Sequence, residues 1–358
     1  MGSWSNLAGH PERAADDPDR ERGLRPSLTA TVIVVAYRSG EALGRLLESL
    51  ETDDVILVDN GSGGPEIDKA SARKGVTVVS PKRNLGFAGG ANEGARHATG
   101  DALVFLNPDT VVAAGAIEGL VGPLEDPQIG IVSARLRLLA QPELLNSAGN
   151  EVHVTGIAWA GCFGCPASVV SQLRDVAFPT GAAMAIRRDL FDELGGFTEE
   201  LFMYQEDLEL AWRARLRGLR IVVNPEADVY HAYEFGRNPG KYYFLERNRL
   251  VFVLSSYSPR MLLLLSPVLL STEAAMLVLS LKEGWAKEKV AGWGWLLRHA
   301  GWLRQHRRET QRMRRVRDRE LARFLSPVIA PAMIAVPGAV RAVNPVVARY
   351  WNLVRRAL

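Results

Sequence analysis

Two adjacent carboxylates, Glu206 and Asp207, open a helical stretch in which neither has a cation to neutralise it. On a helix the partner would stand three or four residues on, where Glu206 meets Glu209 and Leu210, and Asp207 meets Leu210 and Ala211; Glu209 has Arg213. The positive end of the helix would keep Asp207 ionised, the state a base needs in order to take a proton from a hydroxyl. The pair would equally serve the helix dipole with no chemistry at all. Asp109, in the turn Asn107-Pro108-Asp109, could offer a carboxylate to Mg²⁺ or Mn²⁺, the clamp a departing diphosphate needs as charge builds on its oxygens. An Asn-Pro-Asp turn that simply caps the next element fits these residues as well. His231 ends the apolar run 227–230 and could supply an imidazole to a metal, although a lone histidine is more often structural.

The elements that must position these groups are short apolar runs alternating with helical patterns. Residues 31–35, 55–58, 76–79, 103–106 and 129–132 are near-continuous β-formers, as strands buried on both faces of a parallel sheet are. Helices are expected over 41–50, 90–98 and 113–120, which gives an open α/β sheet with right-handed crossovers. Ligands bind such sheets at the carboxyl ends of the strands. Those ends carry Ala36-Tyr37, Asp59-Asn60-Gly61-Ser62, Asn84 after the third run, and Asn107-Pro108-Asp109. A second block follows, with a turn at Thr180-Gly181, a helix near 188–194, the Glu206-Asp207 helix stopping at Gly218, and strands at 220–223 and 227–230. The glycines of Gly86-Phe87-Ala88-Gly89-Gly90 follow a strand and open a helix, but they do not fit the dinucleotide spacing, which argues against an oxidoreductase.

The 358 residues suffice for one large or two ordinary domains, and a 47% hydrophobic content excludes global disorder. The net charge of +3 hides an asymmetry: residues 282–324 hold thirteen Lys or Arg against five Asp or Glu, and four more Arg follow. The basic run carries Trp285, Trp293, Trp295 and Trp302, the combination that anionic lipid surfaces attract. Residues 261–281 are apolar and of spanning length, yet they contain Pro267 and Glu273, so an interfacial helix pair is expected ahead of a transmembrane one. Residues 1–28 read as a disordered polar leader without a signal peptide, 29–250 as the α/β domain, and 251–358 as a helical, membrane-associating region. Cys162 and Cys165 lack the further ligands of a zinc site and read as inert thiols in a reducing cytosol.

Taken in order, the motifs resemble the family 2 glycosyltransferases, particularly the rhamnosyltransferase-like branch. The matching stretches are TVIVVAYRSG (31–40), ILVDNGSGG (56–64), NLGFAGGANEG (84–94), FLNPDT (105–110), PTGAAMAIRRDLFDELGGFTEELFMYQEDLELAWRARLRG (179–218) and PEADVYHA (225–232). The resemblance implies a GT-A fold, a mostly parallel open sheet with flanking helices, and inversion by direct displacement. It makes Asp59 the contact to the nucleotide base, with Ala36 and Tyr37 lining that pocket. Asn84 and Gly86 fall in its third matching stretch, on the donor side. Asp109 becomes the presumed ligand of a divalent metal, Mg²⁺ or Mn²⁺, with Asn107 where many relatives carry the first acid of Asp-x-Asp, which implies a weaker hold. Asp207, beside Glu206, resembles the catalytic base, His231 a metal or diphosphate contact, and Thr180-Gly181 the donor–acceptor junction.

These implications converge on a transferase that takes rhamnose from dTDP-rhamnose, or a sugar from UDP-galactofuranose, another UDP-hexose or GDP-mannose. The acceptor expected is a lipid-linked or cell-envelope glycan, at the cytoplasmic face of the plasma membrane. A membrane-bound scaffold that holds sugar nucleotides without turning them over is the alternative of another class. Nucleic-acid binding through 304–323 would need a recognisable module beside the basic run, and none is present. The oligomeric state stays open.

Overall fold

Every apolar run expected as a strand lies in one; residues 32–36, 55–59 and 102–106 are buried throughout, whereas 76–79, at the sheet edge, is half-buried with Thr77 exposed. The computed structural model describes residues 28–232, 240–333, 336 and 338–358; the expected leader lies, but for Leu28, outside them. The chain runs β1 (Ala30–Ala36), α1 (Glu41–Ser49), β2 (Val55–Asp59), α2 (Pro65–Ser71), β3 (Val76–Val79), α3 (Gly86–His97), β4 (Ala102–Leu106), β5 (Thr110–Val112), α4 (Ala116–Val121), β6 (Ile129–Leu138), then β7 (Leu145–Ser147), β8 (Asn150–His153), β9 (Ala158–Ala160) and β10 (Arg174–Asp175). It continues through β11 (Ala183–Arg187), α5 (Arg188–Leu194), α6 (Glu206–Leu216), β12 (Arg220–His231), α7 (Gly240–Ser256), α8 (Pro259–Glu283), α9 (Ala286–Arg298), α10 (Ala300–Arg312), α11 (Asp318–Leu321), β13 (Leu325–Ser326) and α12 (Gly338–Ala357).

The main sheet has the order β10-β12-β6-β11-β4-β1-β2-β3, with β5 on β12 and β7 on β6; β13-β8-β9 form a small second sheet. Along β1 the side chains alternate: Val32 and Val34 join the core packed under α1, while Ile33 and Val35 join the core shared with α3 and α6. That double burial is why these strands read as unbroken apolar runs.

The sheet is mixed, which corrects the mostly parallel one expected. β3, β2, β1 and β4 are parallel, but β11 lies antiparallel between β4 and β6 at the centre, and β5, β7 and β10 also pair antiparallel. The run 183–187 carries no sign of its direction: a five-residue apolar strand buried on both faces looks the same either way, and the helix expected immediately after it hid it. Two other boundaries moved. α3 starts at Gly86, four residues ahead of the expected helix, and the strands expected at 220–223 and 227–230 are one strand with an irregularity between Asn224 and Asp228.

The reversal at β11 matters for the site. Because Ala183 pairs with Leu106, the start of β11 lies at the same sheet edge as the ends of β4, β1 and β2. Thr180-Gly181 therefore arrives beside Asn107, whose backbone N–H donates to the Ala182 carbonyl at 2.9 Å.

The C-terminal helices are fastened to this domain by buried charge. Lys289 on α9 reaches Glu246 at 2.6 Å and Glu273 at 3.1 Å; Arg249 pairs with both carboxylates, and the Trp293 indole donates to Glu273 at 2.9 Å. α10 reaches the helix that bears Asp207: His306 lies 3.2 Å from Glu209, which is fully buried and pairs with Arg213 at 2.7 Å. Burial alone would raise the Glu209 carboxyl; Arg213 and His306 outweigh it and hold it at about 2.

A depressed carboxylate contributes stability that is complete above the ordinary glutamate pKa of about 4.3 and lost as pH falls toward the folded value. Glu209→Gln leaves Arg213 buried without its counter-charge and should cost about 3–5 kcal/mol at neutral pH. Glu93→Gln, at the half-exposed pair with Arg96, should cost no more than about 1 kcal/mol. Urea midpoints of the two variants at pH 7 check this; equal midpoints would show that Glu209 carries no such pair.

Candidate active site

The carboxyl ends of β1 and β2 meet in register, Ala36 opposite Asp59, and the Asn60 N–H donates to the Ala36 carbonyl at 2.9 Å. The Asp59 carboxylate accepts from the backbone N–H groups of Ser62 at 2.8 Å and Gly63 at 3.1 Å, so the loop folds around its side chain. Ala36 is buried beneath this corner, whereas Tyr37 stands out into solvent with the Arg38 guanidinium over its ring.

Asn60 is a residue that sequence reasoning passed over within the same polar cluster. Its side chain is buried and bridges to the loop ahead of α3: Oδ1 accepts from Leu85 N–H at 2.7 Å, and Nδ2 donates to the Gly86 carbonyl at 2.8 Å. Asn84 Oδ1 accepts from the Gly86 N–H at 2.8 Å, which tightens the turn. Gly86 has φ of 71°, and a Cβ there would overlap the Phe202 carbonyl and ring. No other residue fits that position, since both the torsion and the space demand glycine.

Asp109 and His231 come together as the sequence implied. β5 pairs antiparallel with the end of β12, Thr110 opposite His231, and this brings His231 Nε2 to 3.3 Å from Asp109 Oδ1. His231 Nδ1 lies 2.9 Å from the Oδ1 of Asn146 on β7, a contact that ties back this edge of the ring and turns Nε2 toward Asp109. Asp109 Oδ1 has no hydrogen-bond donor. An undonated carboxylate oxygen beside an imidazole whose other nitrogen is tied back is a donor set that fits a divalent cation. Among the described residues no third His, Cys, Asp or Glu joins them. Asn146, which ties back the ring, sits in a three-residue strand and had no sequence signature.

Glu206 and Asp207 begin α6. Asp207 Oδ2 accepts from Gly181 N–H at 2.9 Å, and Oδ1 from the Leu208 N–H at 2.7 Å. A Cβ on Gly181 would stand 3.3 Å from that same Oδ2, so the close approach suits a glycine. Thr180, also buried, receives a bond from the Ala182 N–H on its hydroxyl at 3.4 Å and donates its own N–H to Ser133 at 3.2 Å, which pins the turn to β6. Through Gly181, Ala182 and Asn107 the carboxylate is thus linked to the Asn107-Pro108-Asp109 turn. Among the described residues neither Glu206 nor Asp207 forms an ion pair, as their spacing implied.

The electrostatics differ from expectation. The helix end was expected to keep Asp207 ionised; burial instead pushes its carboxyl upward, against the pull of the N–H groups of Leu208, Gly181 and its own. Burial, together with the Asp207 charge, drives Glu206 higher still, and its Oε2 is buried without a partner. Two adjacent buried carboxylates, both raised by burial, titrate as a pair and together can hold or accept a proton.

Cys162 and Cys165 are free thiols in a tight turn, the Cys165 N–H donating to the Cys162 carbonyl at 3.0 Å, and they lie in a different part of the chain from this edge.

Comparison with known proteins follows the same edge. The family model described as Glycosyl transferase family 2 matches residues 31–195. The chain is similar to a pre-mycofactocin glycosyltransferase of Mycobacterium tuberculosis, 29% identical over 203 residues, 56% of this chain and 42% of that protein. It therefore spans less than half of that relative's length. It is also similar to the N-acetylglucosaminyl-diphospho-decaprenol L-rhamnosyltransferase of the same organism, 29% identical over 246 residues, 59% of this chain and 79% of that protein. Among solved structures, GalNAc-T7 with UDP, GalNAc and Mn²⁺ superposes with a TM-score of 0.54 at 20% identity, over 64% of this chain and 48% of that one, which shows a shared fold. The fold is GT-A-like, with a mixed sheet and flanking helices, and residues 31–195 of the chain are a glycosyl transferase family 2 domain.

Proposed function

We propose that the chain is an inverting glycosyltransferase that moves rhamnose from dTDP-rhamnose to a lipid-linked or cell-envelope glycan. One observation carries the reading: the Asp207 carboxylate, held by the Gly181 N–H, and the Asp109–His231 pair stand on one sheet edge, joined through Asn107. The similarity to a rhamnosyltransferase that acts on a diphospho-decaprenol-linked sugar supports both the donor and the lipid-linked acceptor.

In this reading Ala36, Tyr37 and Asp59 receive the nucleoside, and Asn84 and Gly86 border the donor. Asn107, Asp109 and His231 face the diphosphate. A divalent metal held by Asp109 and His231 would supply charge neutralisation to the departing nucleoside diphosphate; the Mn²⁺ in the GalNAc-T7 structure supports such a metal. Asp207 takes the proton of the acceptor hydroxyl as that oxygen attacks the anomeric carbon from the face opposite the leaving group. Glu206, with its proton retained, serves as a neutral hydrogen-bonding group beside it. Thr180 and Gly181 hold the base at the junction between donor and acceptor.

The C-terminal region is proposed to rest on the membrane. α8 is long and apolar enough to cross one, with a mean hydropathy of 2.0 over its best window and little of that window buried. Yet Met261, Leu265 and Ser280 pack on the body, and Glu273 between them is tied to Arg249 and Lys289, which favours a helix lying flat over one that spans. Leu263, Leu270, Val278 and Leu281 face outward, joined by Leu297 of α9 and by Val346 and Leu353 of α12. Arg304, Arg308 and Arg312 on α10 and Arg349 and Arg356 on α12 are exposed too and carry the charge that an anionic cytoplasmic leaflet attracts.

Asp207→Asn should lower transfer at least about a thousandfold and leave nucleotide binding within about twofold, since general-base loss removes 10²–10⁴ in rate; near-normal turnover would remove Asp207 as base. Because burial raises the Asp207 carboxyl and only its ionised form acts, kcat/KM should climb with pH through a limb lying above the ordinary aspartate value of about 3.9. A flat profile from pH 4 to 7 would contradict that assignment.

A panel of dTDP-rhamnose, UDP-galactofuranose, UDP-glucose and GDP-mannose, each with Mg²⁺, Mn²⁺ or EDTA and a membrane lipid extract, tests donor and metal together. dTDP-rhamnose consumption that EDTA suppresses, and that His231→Ala weakens, is expected. Binding of a donor without turnover of any would favour the scaffold alternative instead.

Sedimentation with phosphatidylglycerol vesicles tests the surface. Replacing Arg304, Arg308 and Arg312 by Gln should weaken partitioning roughly a hundredfold, at about 1 kcal/mol per basic side chain. Equal binding to phosphatidylglycerol vesicles by wild type and variant would remove the arginine stripe from the docking surface.

A further inference from the structure

The backbone that delivers Glu206 and Asp207 is unusual: Phe202, Tyr204 and Gln205 have φ of 65°, 68° and 66°, all in the left-handed region. Such torsions are costly for non-glycine residues, so three of them within four positions persist only where surrounding groups impose them. The imposing groups come from α7. Asn248, with no solvent exposure, directs its Nδ2 at the carbonyls of Leu201, Met203 and Tyr204, at 3.0, 2.9 and 2.7 Å. Arg247 Nη2 donates to the carbonyls of Glu200 and Leu201 at 2.7 and 2.8 Å.

Arg247 also orients the amide. Its Nε donates to Asn248 Oδ1 at 2.9 Å, which turns the NH₂ group toward the loop. The guanidinium is in turn stacked beside the Trp295 ring, 4.6 Å from its centroid, and the Phe244 ring lies 5.2 Å from that of Phe202, nearly parallel to it. The opposite side of the loop bears on the donor loop, the Phe202 carbonyl accepting from the Ala88 N–H at 3.1 Å. Within the segment the Met203 N–H donates to the Leu201 carbonyl at 2.7 Å, and the side chains of one helix turn supply donors to the carbonyls of Met203 and Tyr204.

We infer that Arg247 and Asn248 are positioning residues of the reaction, holding the segment 201–205 in its left-handed track so that Asp207 is aimed at the acceptor. The inference rests on Asp207 being the base. It assigns the C-terminal region a part in the chemistry, because the turn that clamps the loop is the same turn whose Glu246 and Arg249 are pinned by Glu273 and Lys289. Displacement of a catalytic group by about 1 Å can cost a hundredfold in rate, so loosening the loop should be felt in kcat while the nucleotide pocket is spared.

The test uses the full chain carrying Asn248→Ala or Arg247→Lys, with the donor that the wild type consumes in the panel above and with dTDP and UDP as binding probes. Each variant should lose about tenfold or more in kcat, keep its donor KM and its nucleotide affinity within about twofold, and displace the acid limb of the pH profile. Hydrogen exchange should quicken at the amides of 202–209 and stay unchanged in β1, β2 and β4. Arg247→Lys retains the charge and the buried stem, so it decides the matter if Asn248→Ala does not fold. A wild-type kcat in either folded variant, or unchanged exchange at 202–209, overturns the inference provided Asp207→Asn is inactive. An active Asp207→Asn would overturn the base assignment, and this inference with it.

Discussion

The segment 201–205 is the constraint on which the site depends. It must pass between the donor loop and α7 while turning the chain into α6, and the space allows only a left-handed path. On the donor side this fixes Gly86, because any side chain there would occupy the Phe202 carbonyl. On the far side its carbonyls need donors, which Asn248 and Arg247 provide between them. The nucleotide-facing loop, the carboxylates and the C-terminal helices are therefore adjusted to one another through a single piece of backbone. The strain resides beside the proposed base, where a rigid approach is worth more than local comfort.

The buried ions of the C-terminal region follow from the same need. Glu246, Glu273, Arg249 and Lys289 would each be expensive to bury alone, and as a closed group they neutralise one another. Apolar side chains could hold α8 and α9 on the body as strongly, but they would tolerate sliding. Directional pairs set the rotation of α7, and that rotation decides where Asn248 points. The same group resolves the position of Glu273: read as sequence it is a charge in an apolar helix, and in the structure it faces inward.

Much of this edge was legible because chemistry and periodicity coincide there. Asp59, Asn107, Asp109 and His231 stand at the carboxyl ends of apolar runs that read as strands, and Glu206-Asp207 stand out by having no cation in helical reach. What stayed hidden depends on distant pairing. The antiparallel direction of β11 is invisible in Ala183–Arg187, yet it alone brings Thr180-Gly181 to the edge. Asn146, Asn60 and Asn248 do their work through side-chain amides that point across the fold, and an asparagine in a strand, a loop or a helix carries no sequence mark of such a partner. The raised carboxyl of Asp207 was hidden for the same reason: the helix end is local and readable, whereas the burial that works against it is assembled from elsewhere.

Asn107 gains a physical meaning from the charge around it. Asp59, Asp109 and Asp207 already crowd one edge toward which, in the proposed reaction, a nucleoside diphosphate must approach, and each further carboxylate would repel it. An amide at 107 removes one such charge while its backbone N–H keeps the bond to Ala182 that links the Asp109 turn to the Gly181 turn. Fewer acidic ligands mean a looser hold on a cation, but also less dependence on one to admit the donor. The same logic applies to Glu206: kept protonated by burial and by its neighbour's charge, it adds no negative potential where leaving-group charge develops. In the proposed reaction the edge holds one base and one carboxylate–imidazole pair, with the remaining acidity lessened by the amide at 107 and by the burial of Glu206.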